Sequence, residues 1–467
     1  MTSTTTTPDV IIIGSGFAGL TAAIECATLG LSVRVLEKMK AIGGNSILSD
    51  GGLAAAGTDI QQRHGISDSA QAMFEDMMVS AAGLNDPELC ATVCLKANEA
   101  FMWTREVLHV PFQDRVDIFG GHRVKRCYSP DPLLGSTILM KMKAACDRLQ
   151  IPIYTGMNVT SLQLDEHNRV CGVTIDPDYR FQQPQQSSSI TMTAKRAIVV
   201  ASGGYAADIT FLRTLLSDLP KNIQSTNKRS ATADLLNHCR SIGAATRLLD
   251  TIQWMPWASL DEPGYGIGGL FGDYIVSSAG ILIDPASGKR FVNERADRRM
   301  ITQRIHERAP FVIGLVDQQA VTLSGWDLTL ALKKGIVKTH ATLKDVSEAY
   351  GIPYEALNTT VHHTNDAIVG KINDDFGKTI ETWMHPLDTA PFYTMRIQPK
   401  THYCPGGLVT DHSLHVLDTD NKPIPGLYAV GEVTGMTHGA NRLGSCSITE
   451  CLVLGREVAH SILAEGS

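Results

Sequence analysis

Residues 9–38, DVIIIGSGFAGLTAAIECATLGLSVRVLEK, decide the fold of this chain. The apolar run over residues 9–13 predicts a buried strand, and LTAAIECATLG predicts a helix that stops at Gly30. The following SVRVLEK predicts a second strand that ends at Glu37. A strand, a glycine-rich turn, a helix and a second strand in this order form a βαβ unit. The stretch therefore predicts a doubly wound α/β domain.

Three glycines in this stretch, Gly14, Gly16 and Gly19, have the spacing GxGxxG. The first two allow a tight turn and a close approach of the backbone to a pyrophosphate, and the third lets the helix pack on the strand. The helix N-terminus then stabilises the negative charge. Glu37 stands where a carboxylate accepts hydrogen bonds from ribose hydroxyls. The pattern predicts dinucleotide binding without separating FAD from NAD.

Composition and charge exclude several classes of protein. The 467 residues carry a net charge of −7, which argues against a nucleic-acid-binding face. No run of about 20 apolar residues predicts a transmembrane helix, and MTSTTTTPD lacks the features of a secretory signal. None of the ten cysteines forms CxxC or CxxCH, so no haem or metal site is expected. Scattered reduced cysteines predict a cytoplasmic location.

The remainder of the chain suggests an insertion between two parts of one domain. AKRAIVVASGGY at 194–205 and GLYAVGEV at 426–433 again predict strands that run into glycine turns, whereas composition changes between 235 and 350. We therefore predict a disordered tail over 1–8, a nucleotide-binding domain over 9–234 and 351–467, and a capping domain over 235–350. Near the C-terminus, THGANRLGSCSITECLVLGR at 437–456 places Arg442 in a glycine-rich turn before a helix. An arginine so placed can hold a carboxylate with two parallel hydrogen bonds.

Seven motifs occur in a fixed order along the chain: GSGFAGLTAAIE, EKMKAIGGNS, IVVASGGY, GKRFVNE, HYCPGGL, GLYAVGEV and HGANRLGS. In this order they resemble the FAD-dependent fumarate reductases and the flavoprotein subunits of succinate dehydrogenase, and the resemblance extends from about residue 9 to 464. It implies a noncontiguous Rossmann-like FAD-binding domain with an inserted α+β capping domain and an active site between them. Some relatives attach FAD through a histidine in the glycine block, but GGNSIL contains none. The chain is therefore similar to the soluble branch, and noncovalent FAD is expected.

The resemblance also implies which residues line the FAD. They are Gly14, Gly16, Ala18, Gly19, Glu37, Lys38, Gly44, Asn45, Ser46, Gly51, Gly52, Val159, Ala201, Gly203, Asp234, Glu432, Ser445 and Ser447.

Three basic residues match the family's catalytic positions. Arg298 follows GKRFVNE and matches the arginine that gives a proton to the substrate carbon while flavin N5 gives a hydride to the neighbouring carbon. An arginine is a poor acid in water, so this role requires a proton relay and a fixed geometry. His402 and Arg442 match the pair that holds one substrate carboxylate.

The chain departs from the family where the second carboxylate of fumarate is bound. Gln253 is followed by Met255 where a histidine is expected, and Met255 cannot donate a hydrogen bond to an anion. In FGDYIVSSAG, Gly272 lines the same predicted pocket and Asp273 stands in for the glutamate of the proton relay. Val276 cannot replace the relay arginine. These substitutions favour an unsaturated acid with a neutral or apolar far end, such as an acrylate or an arylacrylate.

Several alternatives remain open. Arg295, Arg299 or a histidine elsewhere supplies the missing charge if the substrate is fumarate or succinate. The same residues also serve a dehydrogenase, on a succinate-like acid or on a 3-ketosteroid-like substrate, although steroid dehydrogenases use tyrosines as acids. A noncatalytic electron-transfer subunit is the third possibility. The electron partner is a reduced flavin, NAD(P)H or another redox protein. We expect Cys404 and Cys446 to be structural.

Overall fold

A computed structural model describes residues 6–183, 187–217, 219–276, 279–308 and 310–465, without the side chains of Asp273 and Tyr274. The first five residues of the expected N-terminal tail lie outside the described part. The chain divides into two compact units. Unit 1 comprises Met1–Leu219, Lys228–Ile252 and Tyr403–Ser467, and unit 2 comprises Pro220–Asn227 and Gln253–His402.

The strands within the described residues are β1 (Val10–Ile13), β2 (Val33–Glu37), β3 (Leu53–Ala54), β4 (Cys127–Tyr128), β5 (Ile153–Thr155), β6 (Asn158–Leu164), β7 (Val170–Asp176), β8 (Ile190–Thr193), β9 (Ala197–Val200), β10 (Thr246–Arg247), β11 (Gln253–Met255), β12 (Ile281–Asp284), β13 (Lys289–Arg290), β14 (Val312–Asp317), β15 (Lys338–His340), β16 (Phe392–Ile397), β17 (Lys400–Tyr403), β18 (Gly407–Leu408), β19 (His415–Leu417) and β20 (Pro423–Ala429).

The helices in the same part of the chain are α1 (Phe17–Thr28), α2 (Asp59–Arg63), α3 (Ala70–Ala81), α4 (Pro87–Glu106), α5 (Gly135–Arg148), α6 (Ile209–Leu215), α7 (Asp234–Ser241), α8 (Gly268–Leu270), α9 (Arg298–His306), α10 (Gln318–Ser324), α11 (Thr329–Lys333), α12 (Leu343–Tyr350), α13 (Tyr354–Ile368) and α14 (Cys446–Ala464), with a 3-10 helix at Gly44–Leu48 and a π-helix at Phe271–Val276. None of these helices has both the length and the apolar character needed to cross a bilayer.

The central sheet of unit 1 has the strand order β19-β20-β9-β1-β2-β5. All neighbours from β20 to β5 are parallel, and β19 is the antiparallel edge. Along β1, Val10 and Ile12 enter one hydrophobic core, and Ile11 and Ile13 enter the core on the opposite face. A parallel strand buried on both faces explains the uninterrupted apolar run. The predicted Rossmann-like fold of this unit is confirmed.

The sheet of unit 1 combines strands from both ends of the sequence. The C-terminal β20 pairs in parallel with β9, which pairs with β1. Helix α14 then packs against α1, where a Cβ on Gly455 would lie 2.9 Å from the Ala18 carbonyl oxygen. This glycine lets the two helices approach closely, so the first and last elements of the chain form one core.

Unit 2 contains an antiparallel sheet of order β13-β12-β14-β16-β15. Its motif GKRFVNE is held by a buried ion-pair cluster, in which Glu294 accepts from Arg290 at 2.9 Å and lies 3.3 Å from Lys378. The Asp297 side chain accepts from the Arg299 N–H at 2.8 Å and caps α9. The cluster and the cap together set the start of α9, whose first residue is Arg298.

The structural boundaries of unit 2 differ from the predicted insertion at 235–350. Helix α7 belongs to unit 1, because Leu235 and Leu236 lie in its core. Strand β16 belongs to unit 2, because it pairs with β14 and β15. Pairing between strands about 80 residues apart leaves no mark on local composition, which is why the sequence placed the second boundary about 50 residues early.

Candidate active site

A cleft in unit 1 opens at the carboxyl ends of β1, β2 and β9 and has an empty volume of about 1010 Å³, counting space open to solvent. This position is where ligands bind in doubly wound sheets. Of the residues predicted to line FAD, the following line the cleft: Gly14, Gly16, Ala18, Glu37, Lys38, Gly44, Asn45, Ser46, Val159, Ala201, Gly203, Asp234 and Glu432.

The glycine turn after β1 leaves room for no side chain at two positions. Gly14 has φ +112°, and a Cβ there would lie 2.2 Å from the Ala201 carbonyl oxygen. A Cβ on Gly19 would lie 2.1 Å from the Gly14 carbonyl oxygen, so this glycine lets α1 start close to β1. On Gly16 a Cβ would approach only the Ser46 Oγ, at 3.2 Å. The backbone at Gly16 is therefore exposed towards the cleft, as close contact with a pyrophosphate requires.

Glu37 is held in place by three donors. Its Oε2 accepts from the Ser15 N–H at 3.2 Å and from the Ser15 Oγ at 2.5 Å, and its Oε1 accepts from the Met39 N–H at 2.8 Å. Because the carboxylate has about four lone-pair positions, it retains capacity for a ribose hydroxyl. Ser15 lines the cleft as well and was missed, because a serine between two glycines gives no signal of its own.

A second polar group of the cleft surrounds Lys38. Its Nζ donates to Thr232 Oγ1 at 2.9 Å and lies 3.5 Å from the Asp234 carboxylate. Burial lowers the pKa of Lys38, and the Asp234 charge acts in the opposite direction. The Lys228 N–H donates to Asn45 Oδ1 at 2.9 Å. Thr232 and Lys228 were not predicted, since no motif marks the loop that carries them.

Glu432 also lines the cleft and is half-buried. Its Oε1 accepts from the Cys404 N–H at 3.0 Å, and a Cβ on Gly204 would lie 2.5 Å from the same atom. Burial raises the pKa of Glu432 to about 7, while the Cys404 N–H and the Arg442 charge oppose the shift. A carboxyl group with this pKa changes its charge near neutral pH inside the cleft.

Five residues of the predicted FAD set lie outside the cleft lining: Gly19, Gly51, Gly52, Ser445 and Ser447. Gly19 serves helix packing, as described above. Gly51 has φ +80° and faces Pro130, and a Cβ on Gly52 would lie 2.8 Å from the Ser445 Oγ. Ser445 has φ +64° and immediately precedes α14, and Ser447 lies in the first turn of that helix.

Arg442 in unit 1 is buried within a polar cluster. Its guanidinium carbon lies 5.0 Å from the centre of the Tyr403 ring, and its Nη1 donates to the Leu443 carbonyl at 3.0 Å. The Tyr403 hydroxyl donates to Glu450 Oε2 at 3.3 Å, and His438 Nε2 lies 2.8 Å from the same oxygen. Burial raises the pKa of Tyr403 well above its ordinary value, so this hydroxyl stays protonated. The cluster fixes the plane on which the guanidinium rests.

Arg298 in unit 2 is buried at the start of α9 in an apolar setting. Its Nη1 lies 3.6 Å from Met255 Sδ, and its guanidinium carbon lies 5.4 Å from the centre of the Trp257 ring. Met255 and Trp257 are 1% and 2% exposed. A guanidinium packed in this way is largely withdrawn from water, which strengthens its interaction with an anion.

His402, also in unit 2, is held by the segment around Thr226. His402 Nδ1 lies 2.7 Å from Thr226 Oγ1, and this hydroxyl donates to the Thr401 carbonyl at 3.2 Å. The hydroxyl hydrogen is thereby committed, so Nδ1 is the donor to Thr226. The Asn227 amide donates to the His402 carbonyl at 2.7 Å. With this proton on Nδ1, Nε2 is an acceptor in the neutral ring and donates to an anion only when the imidazole is protonated at both nitrogens.

The remaining predicted pocket residues of unit 2 lie on β11 and on the π-helix. Gln253 and Met255 are on β11 and are both buried. A Cβ on Gly272 would lie 2.2 Å from the Trp257 Cβ, so this glycine is required for packing. The backbone of Asp273 belongs to the π-helix, and its side chain lies outside the described part.

The cleft of unit 1 fits a flavin dinucleotide on its own geometry. It combines a glycine turn without room for side chains, exposed backbone at Gly16, a held carboxylate at Glu37 and the N-terminus of α1. Fold and cleft together define a dinucleotide-binding protein of the doubly wound α/β class.

The model of the family described as FAD binding domain matches residues 9–448, so the chain belongs to this family. It is 32% identical over 462 residues to the acrylate reductase flavoprotein subunit of Shewanella woodyi, covering 97% of this chain and 91% of that protein. It is 30% identical to the urocanate reductase of Eggerthella lenta, covering 97% and 74%. A flavocytochrome c3 fumarate reductase in its open conformation has a TM-score of 0.79 at 25% identity, covering 98% of this chain and 78% of that one.

The comparisons make this chain an FAD-dependent oxidoreductase of the fumarate reductase and succinate dehydrogenase type, acting on CH–CH groups. The predicted family and the predicted cofactor, FAD, are confirmed. A 3-ketosteroid-Δ4-(5α)-dehydrogenase from Rhodococcus jostii has a TM-score of 0.75 at 22% identity, which shows the fold alone.

Proposed function

We propose that this protein reduces the carbon–carbon double bond of a small α,β-unsaturated monocarboxylate. The observation that carries the proposal is the environment of Arg298, whose guanidinium rests on Met255 Sδ and the Trp257 ring. A second carboxylate at Met255 would meet a thioether that donates no hydrogen bond, and leaving it unpaired there costs several kcal/mol. A neutral or apolar far end carries no such penalty.

The alternative, fumarate or succinate as substrate, needs a second cation. The two arginines considered for this role are already paired: Arg295 lies 3.0 Å from Glu381, and Arg299 lies 3.1 Å from Asp297. Recruiting either would break an existing ion pair. The names of two relatives, acrylate reductase and urocanate reductase, support the monocarboxylate, since each named substrate carries one carboxylate.

We assign the steps of the reaction as follows. Arg442 and His402 hold the substrate carboxylate, and their charge stabilises the enolate-like transition state. Arg298 delivers a proton to the α-carbon, and Asp273 serves the relay that restores it. When bound and reduced by two electrons, the flavin would supply the hydride for the β-carbon and would be left as oxidised FAD, which the electron partner reduces again. The same groups catalyse the reverse reaction, and the direction follows from the electron partner, which is a reduced flavin, NAD(P)H or a redox protein.

Two further proposals concern the state of the protein. We propose that FAD is bound noncovalently, because the block Gly43–Leu48 contains no histidine; acid precipitation should release all of the flavin into the supernatant. We also propose a cytoplasmic location, supported by ten cysteines of which all are free thiols. Cell fractionation tests the location, and recovery outside the cytoplasm would contradict it.

The function is tested by reoxidation of the anaerobically reduced holoenzyme with acrylate, methacrylate, cinnamate and fumarate. We expect at least one monocarboxylate to reoxidise the flavin at a rate at least about tenfold higher than fumarate does. Arg298→Lys should slow reoxidation by that substrate without changing FAD content. Reoxidation by none of the four acids, or by fumarate fastest, would contradict the proposal.

A further inference from the structure

A buried chain of polar and charged side chains leads from α3 to the loop that carries Arg442, entirely within unit 1. Arg126 is fully buried, and its Nε and Nη2 donate to both oxygens of Asp68 at 2.8 and 2.9 Å. Its Nη1 donates to Asp76 at 2.5 Å. An ion pair with so many satisfied hydrogen bonds adds geometric specificity more than stability.

Arg126 determines the protonation of His122. The guanidinium Nη1 lies 3.1 Å from His122 Nδ1, and a guanidinium only donates, so Nδ1 is an acceptor. The proton of the neutral ring is then on Nε2, which donates to the Gly444 carbonyl at 2.8 Å. Burial lowers the pKa of His122 to about 4, and the charge of Arg126 acts in the same direction. His122 is therefore a neutral donor of fixed orientation at physiological pH.

The loop that receives this hydrogen bond packs tightly on the segment of His122. A Cβ on Gly121 would lie 2.3 Å from Leu443 Cδ2, and one on Gly444 would lie 2.5 Å from the Phe119 Cβ. The Arg442 Nη1 donates to the carbonyl of Leu443. Residues 443 and 444 are thus held by the segment 119–122, and the Arg442 guanidinium depends on the position of residue 443.

The next residue of the loop, Ser445, has a strained backbone conformation that the hydrogen bond to Gly444 helps to hold. Ser445 has φ +64°, a left-handed conformation that is strained for a residue with a side chain. Such a conformation persists where the surroundings determine it. The carbonyl of Gly444 and the N–H of Ser445 belong to one planar trans peptide, so fixing the carbonyl also fixes the direction of that N–H.

We propose that His122 is a positioning residue for substrate binding: its Nε2–H holds the Gly444 carbonyl, and the Asp68–Arg126–Asp76 cluster fixes the tautomer that makes this possible. The role rests on the proposed function, in which Arg442 binds the carboxylate. His122 touches neither substrate nor cofactor in this assignment. It acts on the affinity of the arginine for an anion, and not on the transfer of hydride or proton.

The test measures the binding of propionate, a saturated monocarboxylate, to the oxidised holoenzyme. Binding is detected by the change in flavin absorbance. His122→Phe keeps an aromatic ring but loses the donor, and we expect the Kd of propionate to rise about tenfold. His122→Gln keeps a donor and an acceptor, and its Kd should stay within about threefold of the wild type. For acrylate, His122→Phe should raise KM while kcat changes little. His167→Phe, at an exposed turn, is the matched control.

A second variant, Arg442→Gln, separates failure of the proposed carboxylate site from failure of the positioning role alone. Arg442→Gln should weaken propionate binding at least as much as His122→Phe. If Arg442→Gln binds like the wild type, both the carboxylate site and the positioning role are overturned. If Arg442→Gln is weakened while His122→Phe is not, or if His122→Gln is as weak as His122→Phe, the positioning role alone is overturned. Should the variants not fold, 15N NMR of wild-type histidine decides: the Nε2–H tautomer supports the proposal, and the Nδ1–H tautomer overturns it.

Discussion

Replacing His122 by glutamine should flatten the dependence of stability on pH between pH 7 and pH 5. The pKa of this imidazole is about 4 in the folded protein, against 6.5 in the unfolded chain. As the pH falls through 6.5, His122 binds a proton in the unfolded chain but stays neutral in the native state. The free energy of unfolding therefore decreases. The decrease ends near pH 4, where the folded ring also protonates.

The magnitude follows from the two pKa values. Between pH 7 and pH 5, linkage predicts a loss of about 2 kcal/mol from this one group. Glutamine retains a donor for the Gly444 carbonyl and an acceptor for Arg126 but does not titrate. The assay is urea denaturation of both proteins at the two pH values, and all other titrating groups cancel in the difference. Equal losses in the two proteins, to within about 0.5 kcal/mol, would refute a buried neutral histidine.

Three further predictions concern the cofactor and the substrate. Gly14→Ala places a Cβ 2.2 Å from a backbone carbonyl at φ +112° and should reduce the bound FAD per protein severalfold, measured from the ratio of flavin to protein absorbance; full occupancy would contradict the role of this turn. Met255→His introduces a donor beside Arg298 and should raise kcat/KM for fumarate relative to acrylate about tenfold; an unchanged ratio would show that this position does not select the far end. Arg298→Lys should lower kcat for the preferred acid by about 100-fold or more in steady-state assays, and a near-normal kcat would exclude arginine as the proton donor.

The nucleotide-binding part of the fold was readable from sequence because its signal is local. The apolar run, the glycine spacing and Glu37 lie within 30 residues, and β1, α1 and β2 begin and end within a few residues of the predicted limits. Each glycine of the fingerprint stands where a side chain would meet the neighbouring backbone or block its approach to the cofactor. Any sequence that forms this turn has the same steric requirement. Local chemistry of this kind is visible without knowing where the rest of the chain goes.

The support of the candidate site was not readable in the same way. His122 and Arg126 lie in DIFGGHRVKRCY, a basic stretch that would ordinarily be assigned to solvent. The structure buries Arg126 because carboxylates 50 and 58 residues away are brought to it, and no local pattern records that pairing. The contact between Thr226 and His402, 176 residues apart, was hidden for the same reason. Non-local pairs of polar residues therefore account for most of what the sequence left out.

The arrangement of unit 1 also dictates when the cofactor site can exist during synthesis. Its glycine turn and Glu37 emerge from the ribosome roughly 400 residues before Val430, Glu432 and Cys451, which complete the cleft. Strand β20 and helix α14 must then insert beside β9 and α1. Both of these earlier elements are synthesised before unit 2, and both later ones after it. The complete FAD site therefore forms only once β20 and α14 have been synthesised, and chains truncated before β20 should be purified without bound flavin.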